Sequence, residues 1–339
     1  MGVAWGLIST ARINDLVLAG AGASDRVDVV AVASRDRVRA EAYARDHGIE
    51  RAHGSYEALL ADPGVEAVYI SLPNSMHVEW SIRALEAGKH VLIEKPLTRH
   101  PEEAERAFDA AERTGRILSE AFMWRHNPQT ARVVELLQEG AVGRLALVRG
   151  AFGFNCYTAR GAGDVRLSPE LEGGGLMDVG CYCVSAIRLL AGEPLAVHAE
   201  QRVDASGVDV VLAATLRMPD GVLGQLDCGL AVTDRDELEV VGDAGSLFLD
   251  DPWHARVPVI EVRRDGATEP IELTPADSYR LELENVSDAI RGRAPLLLGR
   301  EDAVGQARAI AAIYRSADTG SAVEPAADAG RGERARSAG

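Results

Sequence analysis

Five short apolar runs, at residues 3–8, 29–33, 67–72, 90–93 and 117–121, alternate with segments whose apolar residues recur at helical spacing. This alternation constrains the first third of the chain more than any other feature. Each run reads as a buried strand, and the segments between them, at about 16–21, 38–47, 78–87 and 101–114, read as helices. Strand and helix in that order give an α/β unit with a parallel sheet, whose ligands bind beyond the carboxyl ends of the strands.

Glu94-Lys95-Pro96 follows the fourth run directly and puts a lysine at that edge. Pro96 ends the pairing and restricts the residue before it. A cis Lys95–Pro96 bond would aim the ammonium into the cleft. Taken alone, a Lys-Pro pair is a turn lysine on the surface. The other loops on the same edge argue otherwise.

The first of them, Ser9-Thr10-Ala11-Arg12-Ile13-Asn14, stands where a dinucleotide-binding βαβ unit carries Gly-x-Gly-x-x-Gly or Ala. Ser9, Ala11 and Asn14 occupy the fingerprint positions, and a methyl at Ala11 is expected to crowd the approach of backbone to a pyrophosphate. A helix start still offers unpaired N–H groups, to which Ser9, Thr10 or Asn14 could add side-chain donors. After the second run comes Ser34-Arg35-Asp36. A hydroxyl and a guanidinium suit a ribose 2′-phosphate, so NADP(H) is the preferred cofactor. NAD(H) stays open, because Asp36 lies just beyond the position of the usual ribose-binding acid. Leu72 leads into Pro73-Asn74-Ser75-Met76-His77, a loop expected beside the nicotinamide half, with Asn74 as an amide contact and His77 as a helix-start residue rather than a catalyst.

The pattern changes after about residue 122. Strand-like segments recur at 145–154, 196–203, 208–218, 221–230, 237–241, 246–249 and 259–263, joined by turn signals such as Pro219-Asp220-Gly221. Helices are expected at 129–139, 279–291 and 300–318. Short connections favour antiparallel pairing. The reading is an α/β N-terminal dinucleotide-binding domain at 1–122 and a C-terminal α+β domain at 123–325 with a large, mostly antiparallel open sheet. A tail at 326–339, rich in Ala, Gly and Arg, reads as disordered. Helices on one face of the second sheet would leave the other for a second copy, so a homodimer or homotetramer through that sheet is expected.

Gly173-Gly174-Gly175 allows close backbone packing just before a helix, on which Asp178 and Tyr182 are four apart and share a face. Arg166 reads either as a contact for the nicotinamide or a substrate oxygen, or as half of a structural salt bridge. Trp124 and Arg125 either wall the cleft or, for the tryptophan, pack in the core.

The formal charge of −16 argues against nucleic acid and anionic membrane surfaces, both of which need a basic face. No apolar stretch is read as approaching the roughly 20 residues that span a bilayer. The chain enters its first strand without a basic or signal-type segment, and a cytoplasmic location is the expectation. Cys156, Cys181, Cys183 and Cys228 form neither a metal nor a disulfide pattern, so buried free thiols and a metal-free site are expected.

Gly6-Leu7-Ile8-Ser9, Ala33-Ser34-Arg35, Pro73 to His77, Glu94-Lys95-Pro96, Glu120 to His126 and Gly173 to Tyr182, in that order, resemble the Gfo/Idh/MocA oxidoreductase family from the first strand to about residue 320. The resemblance implies a Rossmann domain, a second sheet domain, and nicotinamide-dependent chemistry on a sugar, polyol or related diol with Lys95 at the reacting oxygen. A tyrosine at 182 rather than a histidine is similar to the branch with diol and D-xylose dehydrogenases, and to deoxysugar ketoreductases. The implied cofactor contacts are Ser9, Thr10, Ala11, Arg12, Ile13, Ser34, Arg35, Leu72, Pro73, Asn74, His77, Glu94, Lys95 and Arg166. Lys95, Trp124, Arg125, Asp178 and Tyr182 would meet the substrate. A free phenol with a pKa of about 10 is a poor base near neutrality, and an adjacent ammonium would lower that value. The first reading is therefore Tyr182 as acid/base with Lys95 as its electrostatic partner, the second is Lys95 donating directly, and in both Asp178 orients a substrate hydroxyl. A ketoreductase acting on nucleotide-linked deoxysugars shares every motif. A nicotinamide-binding regulator without activity is the reading of another class, opposed by the joint presence of Lys95, Asp178 and Tyr182.

Overall fold

The computed structural model describes residues 2–325; the tail expected at 326–339 lies outside the described residues. Strands β1 (Val3–Ile8), β2 (Val27–Ala33), β3 (Arg51–His53), β4 (Ala67–Ile70), β5 (His90–Glu94) and β6 (Leu118–Ala121) form one sheet in the order β3-β2-β1-β4-β5-β6. Every pairing in it is parallel. The order reverses between β1 and β4, and in open sheets of this kind ligands bind at that point, beyond the carboxyl ends. Strands β4 and β6 are buried along their whole length, as strands covered by helices on both faces must be. The covering helices are α1 (Asn14–Gly22), α2 (Arg37–His47), α3 (Tyr56–Leu60), α4 (His77–Glu86) and α5 (Pro101–Thr114). Strand β3 had no sequence signal, since three half-buried residues, Arg-Ala-His, carry no apolar pattern.

After α6 (Pro128–Gln138), strands β7 (Leu145–Asn155), β8 (Ala196–Val203), β9 (Asp209–Arg217), β10 (Leu223–Gly229), β11 (Ala231–Gly242), β12 (Ser246–Leu249), β13 (Val259–Arg264) and β14 (Ala267–Glu272) form a second sheet. Its order is β14-β13-β12-β11-β7-β10-β9-β8. Pairing is antiparallel throughout except between β7 and β10, which run parallel. Strand β14 has no apolar alternation to mark it, since its residues are exposed except for the half-buried Ile271. Its one signal is the Asp265-Gly266 turn, where both residues take positive φ, 51° and 77°, as a two-residue hairpin requires.

Helices α7 (Cys156–Ala159), α8 (Cys181–Ala191), α9 (Ser278–Ile290) and α10 (Arg300–Thr319) complete the fold. Helix α8 lies across β7 and β10, and α10 against β8. The chain then returns to the first sheet. Leu283 and Val286 of α9 share a core with Val3, Trp5 and Leu7, while Ala303, Val304 and Ala307 of α10 join the core beneath α5. The indole of Trp5 donates to Ser287 Oγ at 3.2 Å. The two halves are thus interlocked by the last helices, which fixes the cleft between them.

One expectation about composition is corrected here. The stretch Pro169–Ala191 has the length and mean hydropathy, 1.3, of a membrane span, but 78% of its most apolar window is buried inside the protein. Its apolarity serves the core under the cleft. Cys156, Cys181, Cys183 and Cys228 are buried free thiols.

Candidate active site

Strand β5 delivers Lys95 to the cleft. The Lys95–Pro96 peptide is cis. Glu94 anchors the strand end: it accepts from the Tyr69 hydroxyl and from the Lys95 N–H. Lys95 Nζ crosses to the other half of the molecule and donates to the carbonyl of Asp178 at 2.6 Å and to its Oδ1 at 3.4 Å. The same ammonium stands 5.0 Å above the ring centre of Tyr182. Asp178 and Tyr182 therefore share a face, as their spacing implies. The backbone that presents them is unexpected: Leu176–Gly180 is a single π-helical turn leading into α8. Such turns recur at functional sites.

Asp178 has a second cation, with Arg166 Nε donating to Oδ2 at 2.8 Å and Arg166 Nη1 to Asp164 at 3.0 Å. Arg166 thus forms the salt bridge that was one of its two readings. Burial would raise the Asp178 carboxyl, but Lys95 and Arg166 hold it below the usual value. Lys95 is raised despite its burial, chiefly by Asp178. Tyr182 departs from the expectation. Burial, with Glu94, Cys181 and Asp178 nearby, pushes its phenol well above 10. The ammonium stands over the ring, and burial outweighs the lowering expected of it.

The loop after β1 departs from expectation too. Ser9 adopts a positive φ of 119°, the conformation a fingerprint glycine would supply. Its hydroxyl accepts from the Ala11 N–H at 3.1 Å and donates to the Ser71 carbonyl at 3.0 Å. Asn14 is fully buried, donates from Nδ2 to the Ser9 carbonyl at 2.9 Å, and accepts from Ser71 Oγ at 2.7 Å. Asn14 is hence a brace for the loop and not a spare donor. A web of side-chain hydrogen bonds does here what glycines do in the usual motif. Among the described residues, the N–H groups of Thr10, Arg12 and Ile13 find no acceptor. Three free backbone donors at the start of α1 fit a dinucleotide pyrophosphate.

At the end of β2, Asp36 caps α2, its Oδ1 accepting from Val38 N at 2.8 Å and Arg39 N at 3.3 Å. The acid that kept NAD(H) open is thereby turned into its own helix. Arg35 and Arg39 both lie beside the Tyr56 phenol, and Ser34 sits buried between strand and cap. These residues fit an anionic 2′-phosphate better than a bare ribose.

Residues 3–122 match the oxidoreductase family with an NAD-binding Rossmann fold, and residues 130–248 match the GFO/IDH/MocA C-terminal domain. The chain belongs to the Gfo/Idh/MocA family. Among its relatives, a D-xylose 1-dehydrogenase (NADP(+)) of Haloferax volcanii is 38% identical, covering 94% of this chain and 99% of that one. A mouse trans-1,2-dihydrobenzene-1,2-diol dehydrogenase is 33% identical, covering 80% and 81%. The crystal structure of a 3-ketoreductase from Actinomadura kijaniata with NADP and TDP-benzene superposes with a TM-score of 0.87 at 32% identity, covering 93% of this chain and 98% of that one.

Several residues of this Gfo/Idh/MocA chain that were expected at the cofactor or substrate are also tied to other parts of the protein. His77 is fully buried, and its Nδ1 and Nε2 each lie 2.8 Å from a carbonyl, those of Pro96 and Leu72. It ties the loop after β4 to the Lys95–Pro96 turn and offers no free nitrogen to a ligand. Asn74 Nδ2 donates to the Glu172 carbonyl at 2.8 Å. Trp124 is 1% exposed and meets Trp253 edge-on at 5.4 Å, so it packs in the core and does not wall the cleft. Arg125 is bound by Asp302 at 3.1 Å. The walls around Tyr182 are instead Phe122, Phe152 and Trp253, with ring centres 5.6, 5.3 and 5.9 Å away. Phe152 and Trp253 come from separate strands and loops of the second sheet, and no local spacing marks them.

Proposed function

We propose that this protein catalyses reversible hydride transfer between NADP(H) and the carbinol or carbonyl carbon of a sugar, polyol or diol. The observation that carries the reading is the Lys95 ammonium, bound to Asp178 and stacked on Tyr182 across the cleft between the two sheets. The nicotinamide, when bound, supplies or takes up the hydride. In reduction, the oxygen of the substrate gains negative charge as its carbon is reduced, and Lys95 stabilises that charge. Tyr182, kept protonated by its surroundings, gives its hydroxyl proton to that oxygen. In oxidation Tyr182, as the phenolate, takes the proton back from the substrate hydroxyl. Asp178, with one oxygen toward Lys95 and one toward Arg166, orients the ammonium and accepts from a substrate hydroxyl.

The preference for NADP(H) is supported by Ser34, Arg35 and Arg39 at the end of β2 and by the capping role of Asp36. The xylose dehydrogenase and the NADP-bound ketoreductase support it as well. NAD(H) is the weaker alternative. The test is oxidation of NADPH with a panel of aldoses, ketoses, aromatic diones and one dTDP-linked keto sugar. Turnover confined to the dTDP-linked sugar would make this a deoxysugar ketoreductase, and tight NADPH binding without turnover of any compound would make it a binding protein.

We also infer a cytoplasmic homodimer or homotetramer joined through the open face of the second sheet. That face carries ion pairs between strands, Arg149 with Glu237 at 3.8 Å and Arg263 with Glu239 at 3.8 Å. Light scattering on the purified protein gives the oligomeric state directly.

A further inference from the structure

Asp209 opens strand β9, far from Lys95 in sequence, and is 4% exposed. Its Oδ2 accepts from the Leu176 N–H at 2.7 Å, and its Oδ1 from the Tyr314 hydroxyl of α10 at 2.9 Å. Leu176 is the first residue of the π-helical turn that carries Asp178. The backbone in front of that turn is shaped to this carboxylate. Gly174 has a φ of 123°, and a Cβ there would lie 2.1 Å from Asp209 Oδ1. A Cβ on Gly173 would lie 2.3 Å from the carbonyl of Arg166. The glycines thus permit two close approaches, one to the anchor and one to the segment bearing the second cation of Asp178.

We propose that Asp209 is a positioning residue that fixes the π-helical turn, and through it the placement of Asp178 and Tyr182 against Lys95. The inference rests on the catalytic reading given above. A carboxylate accepts fully from both donors, whereas a neutral acid must turn one oxygen into a donor and weakens one of the two contacts. The groups facing it are Tyr314 from α10, whose ring lies under Arg99 at 5.3 Å, and Cys228 from β10. Burial raises the Asp209 carboxyl to about 6, against the hydrogen bonds from Leu176 and Tyr314 that lower it. Asp178 is held below its usual value and does not titrate there.

Asp209→Asn keeps size and shape but replaces two charge-assisted acceptors by one neutral acceptor and one donor, so the Tyr314 hydroxyl must reverse its bond and the hold on the Leu176 N–H weakens. A misplacement of about 1 Å at a reacting group costs roughly 10²-fold. The variant is expected to lose between about tenfold and 10²-fold in kcat with unchanged NADPH affinity. Parental kcat should fall as pH drops through about 6, and Asp209→Asn should lack that limb. Hydrogen exchange at the amides of Leu176 and Asp178 gives a readout free of chemistry, and both should exchange faster in the variant. If the parent turns over no substrate but the exchange accelerates, the catalytic reading fails and the positioning role stands. If exchange is unchanged, the positioning role is overturned, whatever the activity. Should Asp209→Asn not fold, Tyr314→Phe removes one of the bonds that hold the carboxyl down. The acid limb should then move to higher pH, and a limb that does not move overturns the proposal.

Discussion

Lys95→Met removes the charge while keeping much of the apolar stem, and its two effects are separable. In the folded protein the ammonium covers the Asp178 carbonyl at 2.6 Å and Oδ1 at 3.4 Å, while Arg166 holds Oδ2 at 2.8 Å. Breaking a buried ion pair outright costs about 3–5 kcal/mol because the remaining charge is orphaned. Here Asp178 keeps Arg166, so the stability loss should be nearer 1–2 kcal/mol, below that range because one cation remains. The pH dependence carries a sign. Asp178 is depressed in the folded state, mainly by Lys95 and then Arg166, so its contribution exists above its unfolded pKa and fades as pH falls through the folded value. Lys95 is raised, so its contribution exists below its unfolded pKa and fades as pH rises through the folded one. The gap in stability between parent and variant should be widest between those limits and close on the acid side. Activity should respond far more. Loss of one preorganised charge at a developing oxyanion costs about 10²–10³-fold in kcat, roughly 3–4 kcal/mol. NADPH affinity, measured by quenching of protein fluorescence, should change little, because the contribution is made in the transition state. Adding Tyr182→Phe should cost much less than the product of the two single losses. A Lys95→Met enzyme with near-parental kcat, or one whose NADPH affinity falls as far as its kcat, would refute this account of the site.

Arg35→Ala should weaken NADPH binding while leaving NADH nearly unchanged; equal losses in paired titrations would remove Arg35 from the 2′-phosphate site. Asn14→Leu leaves the part-buried Ser9 carbonyl without its partner and Ser71 Oγ with Ser9 Oγ at 2.8 Å, an orphaned group costing about 1–3 kcal/mol, and should lower both the denaturation midpoint and cofactor affinity. A parental midpoint would show that the web around Ser9 is not what shapes the loop. Glu120 is buried, accepts from Leu97 N at 2.7 Å, and is raised by burial to about 8. Its contribution is fully present below its unfolded pKa and is lost as pH rises through about 8, so parental stability should decline across that window. Glu120→Gln should flatten the decline and be the more stable protein at its upper end by on the order of 3 kcal/mol, read from urea midpoints against pH.

How far the sequence could be read depended on whether a signal was local. The runs at 3–8 and 90–93 identified β1 and β5 because a strand buried on both faces is apolar residue by residue, and Pro101–Thr114 was legible as α5 from its periodicity and its proline start. Strands β3 and β14 were silent, since neither buries an apolar face. In the site, Glu94-Lys95-Pro96 and the spacing of Asp178 and Tyr182 were readable as short motifs. The raised phenol of Tyr182 was not, because it depends on burial and on carboxylates brought in from other elements. Ala11 suggested a crowded phosphate loop. Only the folded chain shows Ser9 at positive φ with Asn14 and Ser71 bracing it.

The sequence by itself determined the two-sheet architecture, the sheet edge at which the candidate site lies, and Lys95, Asp178 and Tyr182 as its candidates, because burial patterns and motif spacings act over a few neighbouring residues. Tertiary structure alone decided that Asp36 faces its helix, that Trp124 packs in the interior while Arg125 pairs with Asp302, that Phe122, Phe152 and Trp253 surround the Tyr182 ring, and that Asp209 anchors the turn beneath it. Those outcomes come from contacts between segments tens to hundreds of residues apart, where burial and the nearest partner set both the charge and the direction of a side chain.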